Sequence, residues 1–446
     1  MIEILDSALE ILRRYPLCNH CLGRLFARLA SGVDNYERGF SIKLLLTMRF
    51  HLMSKDENLV DPILKDLNIL ASNGSFKPAA NLLTKLGSEP PPEKQCYICN
   101  NMFDRLDEYI EKIIPSIGGY EFNSFLIGTK IPASILERED VVRSRLNIDV
   151  GESLKSELNR NLGKKLQKIL GKAVSFSNPD IVILLDIVNN DVIVELKPLF
   201  IYGRYKKLIR GIPQTVWLCN NCWGKGCSLC NYSGRRYPTS ISELIIEPIS
   251  KATEGEEGVF HGAGREDVDT VTLGNGRPFI VEIKNPKRRN IDLLRIENII
   301  NENAKGKIEV KLLRFSNKQE VRKIKGLSAL AKKLYQAIIE VDGEVDQNSL
   351  KKLEEAFLNT PIKQYTPTRV LHRRVDKVRI KKVYSVKTEL IDKNRFKAII
   401  TCQGGLYVKE LISGDNDRTL PNFSKVLGKK AICTELSILF VSEDLQ

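Results

Sequence analysis

With 446 residues the chain exceeds what one ordinary hydrophobic core organises, so two to four domains are expected. A composition of 42% hydrophobic and 28% charged residues is that of a folded globular protein, and no apolar run approaches the roughly 20 residues needed to cross a bilayer. The formal charge of +14 points to a polyanionic partner.

The opening MIEILDSALEILRRY sets apolar residues at helical spacing among Glu3, Asp6 and Glu10. This predicts an amphipathic helix over 2–14 rather than a secretion signal, and hence a cytoplasmic protein. Helices are also expected at 41–54 and 62–72, making 1–115 a mostly helical region. Cys18/Cys21 and Cys96/Cys99 are CxxC pairs, and GSEPPPEK at 87–94 cannot continue a helix, so it reads as a loop delivering the second pair toward the first. Over 116–212 the pattern turns to α/β: strand-like EFNSFLIGTKI, a helix over 152–170, then DIVILLDIV and DVIVELKPLFI. In pattern and placement this module resembles a THUMP domain, an RNA-binding unit of tRNA-modifying enzymes.

Residues 213–235 hold CNNCWGKGCSLC, whose pairs Cys219/Cys222 and Cys227/Cys230 stand four residues apart with Gly224 and Gly226 between them. That spacing predicts a zinc knuckle, closed by four thiolates and therefore structural rather than catalytic. The same chemistry suits a shared zinc at Cys18, Cys21, Cys96 and Cys99, with His20 as a nearby alternative ligand. Residues 236–446 read as one mixed α/β domain, with strands at 279–283, 307–315, 378–386, 396–401 and 435–441 and helices at 240–249, 291–301 and 349–358. The fold class is thus α+β and multidomain.

No Walker loop, GxGxxG turn, GxSxG elbow or HExxH is present, which argues against nucleotide-driven and Rossmann-cofactor chemistry. Basic residues cluster at 204–210 (RYKKLIR), 284–289 and 363–382, the last with eight Lys/Arg against Asp376. The stretch HGAGREDVDTVTLGNGRPFIVEIKNPKRR, 261–289, crowds Arg265, Glu266, Asp267 and Asp269 onto a glycine-rich loop before a strand. Two chemistries fit it. Asp267 or Asp269 with Glu282 and Lys284 matches the D…ExK pattern of a Mg²⁺-dependent nuclease. Alternatively, one aspartate acts without metal on a flipped nucleotide. A zinc-ribbon RNA binder without catalysis is the third reading of the same composition.

GREDVD at 264–269 resembles the G-R-x-D loop of pseudouridine synthases. LYQAIIE (334–340), QYTPTRVLHRRVDKVR (364–379), GGLYVKELISGDNDRTLPN (404–422), IYGRYKKLIRGIPQTVW (201–217) and SISELI (240–245) follow the archaeal and eukaryotic tRNA pseudouridine-54/55 synthase family across nearly the whole chain. The resemblance implies that Asp267 attacks the target uridine of tRNA, with no organic or nucleotide cofactor, and that uracil detaches, rotates and reattaches through C5. It implies that Tyr335 stacks on the base and helps remove the C5 proton, that Lys409 pairs with the catalytic aspartate, and that Arg265 fills the space of the flipped base. Asp269 is left as an acceptor within the turn. RNA binding is expected from Arg369, His372, Arg373, Arg374 and Arg379, with Arg204 and Lys206 upstream. A strand over 377–383 is expected to alternate a basic row with a buried apolar row.

Overall fold

The computed structural model describes residues 4–55, 60–145, 150–327 and 331–442, with the side chains of Leu327 and Arg373 outside the description. The chain divides into two compact units, Met1–Lys197 and Pro198–Gln446. Among the described residues no helix is long and apolar enough to cross a membrane.

The first unit opens with α1 (Ile4–Arg14), α2 (Asn19–Leu25), α3 (Asn35–Met53), α4 (Val60–Ser72), α5 (Lys77–Lys85) and α6 (Leu106–Ile117). A sheet follows, of β1 (Ser124–Lys130), β2 (Ala173–Val174), β3 (Ile181–Asp186) and β4 (Asp191–Leu196), with α7 (Ala133–Arg145) and α8 (Leu154–Leu170) between its first two strands. Its order is β2-β1-β3-β4. The helix expected over 2–14 is α1, Ile2 and Glu3 lying outside the described residues. Helix α3 starts well before the expected residue 41. Asp34 accepts from the Glu37 N–H while the Glu37 side chain accepts from the Asp34 N–H, a reciprocal cap that starts the helix ahead of its apolar stripe.

The expected division at residue 115 does not separate two cores. Leu12, Leu22, Leu67 and Cys99 of the helical part share one hydrophobic cluster with Phe125, Leu162 and Ile183 of the sheet module. Nor does the module extend to 212. The Lys197 N–H still bonds to the Asp180 carbonyl, but Pro198 has no donor for the ladder, and the chain leaves the sheet there.

The second unit carries β5 (Leu199–Lys207), β6 (Glu257–Gly262), β7 (Thr270–Lys284), β8 (Ile308–Ser316), β9 (Lys332–Val341), β10 (Thr360–Gln364), β11 (Arg379–Asp392), β12 (Arg395–Gln403), β13 (Thr419–Leu420) and β14 (Ala431–Val441). All belong to one ten-stranded sheet, β13-β10-β11-β12-β9-β14-β7-β5-β8, with β6 beside β7. Its helices are α9 (Ile241–Thr253), α10 (Leu293–Ala304), α11 (Lys318–Leu327), α12 (Gln347–Ala356), α13 (Val408–Ser413) and α14 (Phe423–Leu427). One core packs Ile339, Phe396 and Ile400 against Leu350 and Leu353 of α12; a second packs Ile201, Phe279 and Ile283 against Ile245 of α9 and Ile300 of α10. The parallel pair β7–β14 joins the two halves of the sheet.

Candidate active site

Residues 263–269 enter β7 at mid-sheet. Thr270–Thr272 run parallel to Leu436–Ile438 of β14, and Ile438 lies opposite Tyr335 of β9. Above these strands opens a cavity of about 540 Å³, walled by Asp267 and Arg265 of the loop, Arg369 of a 3₁₀ turn (Thr368–Arg373), and Tyr407 and Lys409 at the start of α13. That volume falls within the range of small-ligand sites.

Both Asp267 oxygens face one guanidinium: Arg369 Nη1 donates to Oδ1 at 3.0 Å, and Arg369 Nη2 lies 2.9 Å from Oδ2. Arg369 Nε donates to Glu410 Oε1 at 2.6 Å, so α13 braces the pair. A two-pronged contact fixes the carboxylate in plane as well as distance. Two expectations therefore change places. Lys409 does not pair with Asp267; its Nζ donates to Asp269 Oδ2 at 2.5 Å. Burial works against the Asp269 charge, but Lys409 and Arg369 outweigh it and hold the carboxyl below its usual range. Conversely Arg369, expected on phosphate, is the partner of Asp267.

Tyr335 is buried against the cavity floor. Burial, reinforced by Cys402, Glu266 and Asp267, pushes its phenol well up, so it enters the site protonated. Lys333 lies two residues along the same strand and also lines the cavity. Burial and then Arg277 bring its ammonium down to about 7. Sequence reasoning overlooked Lys333, although the period of two along a strand puts it on the face of Tyr335.

Within the basic run 204–210, Lys207 and Arg210 bond to backbone carbonyls of the loop. Arg204 is buried and donates to the carbonyls of Asn275 (2.6 Å), Gly276 (2.9 Å) and Val441 (3.2 Å). The Lys207 ammonium, fully buried and brought down to about 8 by burial, donates to the carbonyls of Asp267 (3.2 Å) and Val268 (2.6 Å). Arg210 donates to the carbonyls of Asp269 (2.6 Å) and Leu436 (3.1 Å). Between them the Tyr205 hydroxyl lies 2.8 Å from Glu266, which pairs with buried Arg277. Arg204 is thus a structural cation and not an RNA contact, because β5 lies between β7 and β8 inside the sheet. Lys206 pairs with Glu309 at 2.9 Å and lines a different cavity, beside Gly274 and Lys311.

Downstream, His372 and Arg374 are exposed near the cavity, and Arg374 Nη1 donates to the Tyr407 hydroxyl at 2.8 Å. Arg379 donates to Thr366 Oγ1 at 3.0 Å; the Arg373 side chain lies outside the described residues. The expected alternation over 377–383 fails in part. The strand begins at Arg379, and Val378 and Ile380 are exposed while Arg379 and Lys381 are half-buried. Arg265 lies 4.9 Å over the ring of Trp217, a cavity residue to which sequence reasoning gave no role.

The nuclease pattern does not assemble. Asp269 precedes the 15-residue β7 while Glu282 and Lys284 lie at its far end, Glu282 beside His261 (2.8 Å) and Lys284 beside Glu257 (2.7 Å).

Both cysteine quartets do. Cys18, Cys21, Cys96 and Cys99 form one group and Cys219, Cys222, Cys227 and Cys230 another. A tetrahedral zinc with bonds of about 2.3 Å sets sulfurs about 3.8 Å apart. The separations found are 3.7 Å for Cys18–Cys99, 3.9 Å for Cys219–Cys227, 3.8 Å for Cys222–Cys230 and 3.7 Å for Cys227–Cys230. A backbone bond from Tyr97 to the Pro16 carbonyl brings the first two pairs together. Fully buried Arg24 donates to Cys21 Sγ at 3.0 Å, charge that suits a thiolate cluster. In the knuckle, burial opposes ionisation of Cys230, but N–H groups of Cys227 and Gly234 donating to its sulfur hold the thiol down at about 6. His20 is no ligand: its Nδ1 sits 2.8 Å from Glu157 and its ring stacks on Phe103.

Among known proteins, residues 200–442 match the family model "Pus10, C-terminal" and residues 109–186 match "Pus10 THUMP domain, archaeal". The tRNA pseudouridine synthase Pus10 of Methanocaldococcus jannaschii is 41% identical over 98% of this chain and 94% of its own length. Those of Ignisphaera aggregans and Pyrococcus furiosus are 40% and 38% identical, each over 99% of this chain and over 100% and 99% of their own.

Proposed function

The chain belongs to the Pus10 family of tRNA pseudouridine synthases, and from that premise we propose that Asp267 opens the isomerisation of uridine in the TΨC arm of tRNA, at positions 54 and 55. The observation that carries this reading is the carboxylate of Asp267, held through both oxygens by Arg369 and facing a cavity floored by Tyr335. A uridine flipped out of its loop meets an oriented carboxylate on its ribose side and an apolar ring for its base. The C1′–N1 bond breaks, uracil turns, and C5 replaces N1 at C1′; the C5 proton is lost and N1 takes up one proton, so the product is an isomer of the substrate. Tyr335 acts first as a stacking surface, and as a protonated phenol it must shed its own proton before it takes one from C5. Lys409 acts through Asp269, and Arg265 stands at the rim, where it substitutes for lost base stacking. Phosphate contacts come from Arg374, Arg379, His372 and Arg373.

Zinc in the two cysteine quartets is structural: four thiolates close each site and leave no position for substrate. Elemental analysis is expected to return two zinc ions per chain. Nucleoside analysis of a tRNA transcript before and after incubation tests the reaction, in chelator-treated buffer with the zinc-loaded protein. Pseudouridine at 54 and 55 with unchanged RNA length and mass is expected; shortened RNA would restore the nuclease reading. Replacing U54 or U55 by cytidine, one at a time, tests the two positions separately.

A further inference from the structure

The knuckle presents large apolar side chains that its own fold does not bury: Trp223 is 76%, Leu229 80% and Tyr232 79% exposed. Each half of the knuckle closes in the same way, Gly226 N–H donating to Cys222 Sγ and Gly234 N–H to Cys230 Sγ, both at 3.2 Å. The closing turns hold Trp223 and Tyr232 at φ 51° and 57°, and they abut. A Cβ on Gly226 would stand 2.9 Å from the Tyr232 carbonyl oxygen, and one on Gly234 2.5 Å from that of Gly224. Two exposed aromatic rings are thereby fixed on neighbouring turns.

The knuckle is continuous with the catalytic cavity. Leu218 bridges to Arg235 at the base of the knuckle, and Trp217, the preceding residue, lines the cavity. Arg236 lies 5.3 Å over the Trp217 ring. Between Gln214 and Glu243 the sequence has no acid, while Lys225, Arg235 and Arg236 are basic. An RNA seated with one nucleotide in the cavity has unpaired neighbours with flat apolar faces, and exposed aromatics bind such faces whatever their sequence.

We propose that Trp223, Leu229 and Tyr232 form a stacking platform for unpaired bases of the same tRNA that delivers its uridine to Asp267. This rests on the synthase reading above. Four thiolates around a zinc ion carry a net negative charge that offsets the nearby cations, so the platform contributes by stacking and its share of affinity is insensitive to salt.

Trp223→Ala and Tyr232→Ala, in zinc-loaded protein with full-length tRNA, are each expected to raise KM about 5- to 150-fold. The expected kcat stays within about twofold, zinc content and the salt dependence of KM are unchanged, and Trp223→Phe stays near wild type. Zinc-replete alanine variants with wild-type KM would overturn the proposal and leave the surface to a protein partner. A reading that needs no damaged platform is the fluorescence of Trp223 in Trp217→Phe. Quenching by tRNA is expected, and an unchanged spectrum at saturating tRNA contradicts stacking. Wild-type protein that forms no pseudouridine from any tRNA would sink the synthase reading itself, separately from this one.

Discussion

Residues 204–210 and 369–382 are both runs of Lys and Arg, and as strings of charge they look alike. Arg204 and Lys207 turn inward, Arg204 to carbonyls of β7 and β14 and Lys207 to those of the Asp267 loop, while Arg210, though exposed, bonds to the Asp269 carbonyl. His372, Arg374, Lys377 and Lys382 stay exposed. What separates the runs is their place in the sheet. Strand β5 lies between β7 and β8, and its Arg204 and Lys207 are buried with carbonyl partners, whereas the second run starts in a 3₁₀ turn beside an open cavity. A cation buried with several carbonyls organises the loop, and one left in water is available to phosphate.

The strongest way to break this contrast is in the first run. Lys207→Met leaves carbonyls of the loop short of a donor and is expected to lower kcat about 100-fold or more. It should also destabilise the protein by about 1–3 kcal/mol in urea unfolding. Unchanged kcat would mean that the loop keeps its shape without the clamp. Next comes Arg369, which lies in the second run yet behaves like a member of the first. Arg369→Lys keeps the charge but loses the fork, so kcat is expected to fall about 10- to 100-fold with KM near wild type. A change confined to KM would return Arg369 to the phosphate-binding set.

Arg374→Ala should show the other behaviour. We expect KM to rise about 5- to 10-fold, the slope of log KM against log salt to fall by about 1, and unfolding to be unaffected. Smallest is a pH effect from Lys333, a buried cation on the cavity floor. Its folded value of about 7 lies below that of an unfolded lysine, so between these the unfolded chain binds more protons and stability rises with pH. Lys333→Met, compared with wild type at pH 7 and 9.5, should gain more stability at the lower pH. An equal or opposite difference would contradict that assignment.

Much of the site was legible because loop chemistry is local. Gly264, Arg265 and Asp267 stand together in the sequence, and the matching stretches around Tyr335, Arg369 and Lys409 converge on one cavity. Pairing was not legible. Asp267 and Asp269 face different cations, and the choice between Arg369 and Lys409 depends on how a 3₁₀ turn and α13 meet above β14. The burial of Arg204 was equally hidden, since it follows from the neighbours β5 finds in the sheet rather than from its own residues. The CxxC pairs predicted both cysteine quartets, one in each unit, but in the first unit the sharing of one core by helices and sheet depends on packing that periodicity does not record.

The most direct test of the account is tritium release from 5-tritiated uridine in a tRNA transcript, comparing wild type, Asp267→Ala and Asp269→Ala at matched RNA binding. Release by wild type, reduced but measurable release by Asp269→Ala, and none by Asp267→Ala is the predicted result. Release by Asp267→Ala at a rate near wild type would contradict the assignment of Asp267.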